Sequence, residues 1–158
     1  MKPPLVTLIG IVLALWMTLG RWLFGIGGPL TYWYVPTIGV GYVWLQWWTA
    51  RRMTLAHRKG RRTRPRVFVT LILSWANAIA FGLTVPDLST QGLVSLAGLW
   101  GGPVWNEMSI ALCNPFGILA FALTIASVAF AAVDGREPRP SEDDIDDARR
   151  SMVEHPLA

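Results

Sequence analysis

The side chains that carry most enzyme chemistry are sparse in this chain and poorly spaced for it. The two histidines are His57, inside a basic stretch, and His155, close to the carboxyl end. Neither has a Ser, Cys or carboxylate neighbour at a spacing that reads as a triad or a metal site. Cys113 is the single cysteine and lies in an apolar run, which excludes an internal disulfide and a multi-cysteine metal centre. A small buried residue is the reading that fits it. No phosphate-binding glycine loop or metalloprotease helix is present. No acidic residue occurs between Lys2 and Asp87, which weighs against a proton-coupled carrier, because such carriers need a titratable group within the membrane. Neither catalysis nor a cofactor or metal is expected.

What remains are a few polar groups embedded in apolar sequence. Asn77 sits mid-way along its apolar stretch, where its amide is expected to bond across to another helix and set register, a contact worth about 0.6 kcal/mol on average. Arg21 would cost about 2.5–3.5 kcal/mol at a bilayer centre, but near the end of its stretch it can reach outward along its stem as an anchor. Asp87 and Glu107 are its alternative partners. Asn114 precedes Pro115 and can satisfy a kinked backbone, and Gln46 stands among tryptophans. Were Asn77, Asn114 and Arg21 to face one cavity, they would form the polar path of a small oligomeric transporter or channel.

The elements that must position these groups are long and apolar. Four stretches, Leu5–Phe24, Leu30–Ala50, Val67–Val85 and Met108–Val133, match the roughly 20 helical residues that a hydrocarbon core of about 30 Å requires. Backbone amides in lipid must bond within their own segment, so each is expected to be α-helical. The fold class is all-α: an integral membrane four-helix bundle of two antiparallel hairpins, residues 1–133, followed by an acidic tail, residues 134–158. Residues 51–66 carry eight Lys/Arg and no acid. Lysine and arginine collect in cytoplasmic loops, so this loop and both termini are expected inside, in the cell's inner membrane. A cleaved secretory signal is the alternative for the first stretch, but its apolar core exceeds the usual 7–15 residues.

Charge and aromatics agree with that topology. The formal charge of +4 arises from the loop rather than from a nucleic-acid surface. Arg51, Arg52, Arg58, Lys59, Arg61, Arg62, Arg64 and Arg66 are expected to contact anionic lipid headgroups. Trp44, Trp47 and Trp48 at one end of the second stretch, and Tyr32, Trp33 and Tyr34 at the other, read as aromatic belts. Small residues supply packing seams: Gly10, Ala14 and Thr18 on the first helix, Thr37 and Gly41 on the second, Ser74, Ala78 and Gly82 on the third, Ala122 and Ala126 on the fourth. Pro36 and Pro115 each remove a helical hydrogen bond, so kinks are expected at both. In the second outer loop, Ser89 or Thr90 can cap a short surface helix with Leu93, Leu96, Ala97 and Trp100 on one face.

The tail opens with a Pro/Gly/Arg-rich linker. Ser141-Glu142-Asp143-Asp144 then has the form of a capping box, which suggests a short helix over residues 142–154 with Ile145, Ala148 and Met152 on one face. Too short to be stable alone, such a helix either docks, on the basic loop or on a partner, or remains a solvated, frayed tail.

Trp16, Phe24-Gly25, Pro29, Tyr32-Trp33-Tyr34 and Ala50-Arg51-Arg52 together resemble the small two-helix membrane proteins that accompany sodium/solute symporters, over residues 5–55. The resemblance implies an accessory role beside a larger transporter and supplies no catalytic or binding residues. The function expected is non-enzymatic: an accessory or scaffold subunit that works through a larger membrane protein or through homo-oligomers.

Overall fold

In a computed structural model, residues 2–89 and 92–136 are described, together with Glu142, Asp146, Arg149 and Arg150 of the tail. Helix α1 covers Pro3–Leu19 and tightens into a 3-10 turn, Gly20–Phe24. Three consecutive helical pieces follow: α2, Thr31–Tyr34, a π-helical turn, Val35–Gly39, and α3, Val40–Arg58. Helix α4 is Pro65–Thr84, a hairpin pairs β1, Asp87–Ser89, with β2, Gly92–Val94, and a short α5, Leu96–Gly101, leads into α6, Pro103–Asp134.

Among the described residues, three helices are long and apolar enough to cross a membrane: Pro3–Phe24, Pro65–Thr84 and Pro103–Asp134. Their starts share a device. Pro3, Pro65 and Pro103 sit at the first helical position, where the missing N–H has no partner to lose and the fixed φ suits the helix.

The outer surface of the helices is apolar, and several polar side chains lie inside. Thr18, Gln46, Thr49, Ser74, Thr124 and Ser127 are buried between helices, while Val12, Val69, Ile72, Ile118 and Ile125 point outward and are more than half exposed. A helix that is apolar on its outer face and polar on its inner one suits a hydrocarbon solvent.

Helix α4 packs most extensively on α6, and α1 on α3, with α3 against α6 and α1 against α4 closing the assembly. Two buried clusters result. One gathers Val6, Ala50, Met53, Val67, Leu71 and Ala131, and the other gathers Leu13, Met17, Tyr42, Ala78, Phe81, Cys113 and Ala120. Pro3 and Pro4 line a pocket with Arg51 and Arg58, and Asp134 touches Arg66, so both limits of the described helices meet at one end, called here the basic end.

Several sequence expectations change in detail. The second apolar stretch continues as helix to Arg58, because charged residues past Ala50 can leave the apolar layer without leaving the helix. Pro36 falls within the π-helical turn, whose wider spacing accommodates a residue with no N–H to give. Pro115 lies inside the unbroken α6. The loop helix is shorter than expected and capped elsewhere: Leu93 belongs to β2, and the Ser95 hydroxyl accepts the Gly98 N–H at 2.9 Å. Ser89 closes β1 instead, and Thr90 lies outside the described residues. The tail helix expected over residues 142–154 falls largely outside them too; Glu142, Asp146, Arg149 and Arg150 are helical and exposed.

Candidate functional site

Among the described residues, polar sites interrupt the apolar framework at each end and between the ends. At the end opposite the basic one, the 3-10 turn swings Arg21 inward, and Gly25 at φ 73° closes that turn in a conformation glycine alone adopts without strain. Arg21 is 1% exposed. Its Nη1 donates to Pro86 O at 2.7 Å and its Nη2 to Thr18 O at 3.1 Å, while Asp87 Oδ2 lies 3.7 Å from Nη2. The Tyr34 ring stacks beneath the guanidinium, 4.7 Å from its centroid.

Asp87 is fully buried and collects three donors from two segments, the start of α2 and its own strand. Leu30 N–H and Leu88 N–H donate to Oδ1 at 3.1 and 2.8 Å, and Thr31 Oγ1 donates to Oδ2 at 2.8 Å. Burial alone would push the carboxyl up, but the hydrogen bonds from Thr31 and Leu88, with the Arg21 charge, more than offset it and hold Asp87 below the ordinary carboxylate range. The expectation of an outward-reaching Arg21 is therefore corrected: acceptors freed where α1 and α4 end lie within its reach, and a carboxylate stands beside them. Glu107, the other carboxylate considered for it, is exposed.

Between the ends, side chains of α3, α4 and α6 form a polar layer. Ser74 Oγ lies 3.0 Å from Tyr42 Oη, 2.7 Å from Thr124 Oγ1 and 2.8 Å from Ala120 O. Gln46 Nε2 donates to Thr124 Oγ1 and Gln46 Oε1 accepts from Trp75 Nε1, both at 3.4 Å. One turn closer to the basic end, Ser127 Oγ donates to Thr70 Oγ1 at 2.8 Å. Gln46 fits because α1 offers no side chain opposite it, and a Cβ on Gly10 would collide with the Gln46 stem. These groups satisfy one another, so the layer fixes helix register rather than lining an open passage.

Of the seam residues read from the sequence, Gly10, Ala14, Thr18, Ser74, Ala78 and Gly82 are buried between helices. Gly82 gives way to Trp16, whose Nε1 donates to Ile79 O at 3.1 Å across the α1–α4 contact. On α6 the buried face is instead Cys113, Ala120, Thr124, Ser127 and Ala131, while Ala122 is exposed and Ala126 half-buried. Small residues occur on more than one side of α6, and only the partner helix decides between them. Asn77 does not cross to a neighbour; its Nδ2 bonds Leu73 O in its own helix at 2.8 Å.

At the basic end, Asp134 unites α4 with α6. Its carboxylate accepts the Arg64 N–H at 2.9 Å and Arg66 Nη2 at 2.6 Å, acting on the start of α4 as a capping group supplied from another helix. Arg66 also lies over Phe130, 5.1 Å from the ring centroid. Two of the eight loop cations are thus held by the protein itself. Arg51 and Arg52 stack on Trp47 and Trp48 at 5.5 and 5.7 Å, and Arg58, Lys59 and Arg62 are exposed.

Arg21, Asn77 and Asn114 do not converge. Arg21 is enclosed with Asp87, Asn77 is bonded to its own helix, and Asn114 lines an apolar groove beside Phe81 and Ile118. Sequence reasoning passed over Thr31, Tyr42, Thr124, Ser127 and Asp134. The i, i+3 pair Thr124 and Ser127, opposite Thr70 and Ser74 at similar spacing, was the available signal for the polar layer. No protein-family model, no curated protein and no solved structure matches the chain.

Proposed function

We propose that this chain is a multi-pass protein of the cell's inner membrane, with both termini on the cytoplasmic side, that acts by association as a non-enzymatic accessory or scaffold subunit of a larger membrane assembly. Its helical stretches would form a four-helix bundle in the bilayer, with Thr31–Arg58 as the second span. The cation-rich basic end supports the orientation, since lysine and arginine favour the cytoplasmic side.

One observation carries the functional reading: the hydroxyl groups of the polar layer between α4 and α6 are paired with one another, and much of what the protein presents outward along its length is apolar helix surface. A chain built this way has its recognition on its flanks. The resemblance of residues 5–55 to small proteins that accompany sodium/solute symporters makes a solute carrier the first partner to examine.

Extraction of the tagged protein in a mild detergent, followed by mass spectrometry, tests this. A second membrane protein in fixed stoichiometry, lost from the membrane or inactivated when this chain is deleted, is the expected result. Recovery of the chain alone as a defined oligomer that conducts a solute in liposomes contradicts it.

A further inference from the structure

The seam between α1 and α3 is open to the outside along an apolar groove of about 440 Å³. Its floor is small and buried, formed by Ala14, Thr18 and Gly39, and its walls are the exposed side chains of Leu15, Val40 and Trp47. At Trp47 the groove meets a second pocket of about 410 Å³, lined by Pro3, Thr7, Thr54, Arg51 and Arg58. The character of the surface changes there from wholly apolar to cationic and hydroxyl-bearing. Arg51 stacks on the Trp47 ring at the junction, and neither Arg51 nor Arg58 has a carboxylate partner among the described residues.

We propose that this continuous surface is a binding site for one anionic phospholipid, with an acyl chain in the groove and the phosphate between Arg51 and Arg58. The dimensions agree. From Thr7 to Leu19 an α-helix advances about 18 Å, close to the depth of one leaflet in a hydrocarbon core about 30 Å thick. The chemistry agrees as well: a cationic pocket beside an apolar groove recognises an anionic headgroup carrying a lipid tail, and basic pockets between helices on the cytoplasmic side do so elsewhere. The site deepens the lipid contact expected of the basic loop by confining it to two of the eight cations. It rests on the membrane reading, but neither on the orientation nor on the accessory role.

Native mass spectrometry of the full-length chain in detergent, titrated with phosphatidylglycerol or phosphatidylcholine, tests the site. Phosphatidylglycerol is expected to be retained roughly 25-fold more tightly, the scale of two cations near an anionic surface. Arg51→Gln with Arg58→Gln should abolish that preference. Lys59→Gln with Arg62→Gln, the same loss of charge at exposed positions outside the pocket, should keep it. Val40→Trp, which fills the groove, should lower retention of both lipids. Equal retention of the two lipids by the wild type overturns the site. So does an equal loss in the Lys59/Arg62 variant, which would mark diffuse attraction, or retention unaltered by Val40→Trp. Lipid-free dimers that Val40→Trp dissociates overturn it too, since a second copy would then cover the groove.

Discussion

The Arg21 guanidinium and the Asp87 carboxylate face each other at 3.7 Å with 1% and 0% of their side chains exposed. They join the end of α1 to the start of β1 and, through Thr31, to α2. Burying such a pair carries a desolvation cost that their attraction only partly offsets, so its value lies in specifying one arrangement of helix ends. Removing one partner is a different matter, because the other charge is left buried. Arg21→Met should therefore lower stability by about 3–5 kcal/mol. Arg21→Met with Asp87→Asn should recover part of that loss. Cys113 provides the readout: it is the only cysteine and is 7% exposed, so thiol labelling during heating follows unfolding.

Acid should act through the same carboxylate. The folded state holds Asp87 below its ordinary range, so in acid the unfolded chain binds the proton first. The stabilisation is complete above the unfolded carboxylate value and is lost as pH falls through the lower folded one. Midpoints of thermal unfolding between pH 7 and pH 3 should drop more steeply at the acid end for the wild type than for Asp87→Asn. Parallel curves for the two proteins would remove Asp87 from the acid response.

Ser74→Ala and Asn77→Leu lie three residues apart on α4 and should behave oppositely. Ser74 is bonded to two other helices, and its loss should cost about 0.6–1.7 kcal/mol, the range found for bonds between membrane helices. Asn77 bonds only its own helix at a half-buried position, and its replacement should fall within about 0.5 kcal/mol of the wild type. Thermal midpoints measured in one detergent compare the two directly.

Gly82→Ala tests the close approach of α1 to α4. A Cβ there meets the Trp16 indole, whose hydrogen bond to Ile79 O would have to give. Overpacking of this kind costs about 1–3 kcal/mol. Trp16→Leu in the same background should relieve the collision and restore part of the loss, and a Gly82→Ala midpoint equal to the wild type would place Trp16 elsewhere.

The sequence makes the apolar helices readable because length and hydropathy are local properties, and Gly10, Ala14, Thr18, Ser74 and Gly82 stand out by their spacing. Other features depend on what lies opposite. Asp87 and Glu107 read as equal candidates for Arg21, and only the fold, which turns Arg21 toward Asp87 and leaves Glu107 exposed, decides between them. Ala122 and Ala126 have the same spacing as a seam, yet α6 rests on Ala120, Thr124 and Ser127 because α3 and α4 meet that side. The strands Asp87–Ser89 and Gly92–Val94 are three residues each, too short to show an alternating pattern. Asp134 reads as the first residue of the tail, and only the fold brings Arg64 and Arg66 to it.

Photo-crosslinking in native membranes tests the proposed association most directly. A photoreactive residue would be placed singly at the outward positions Val12, Ile72, Ile79, Ile118 and Ile125, all 48–68% exposed. The expected result is a single discrete adduct with another membrane protein, obtained from positions on one flank and not from the others. Adducts only to lipid, or only to further copies of this chain, from every position would contradict an accessory subunit and favour a protein that works on its own.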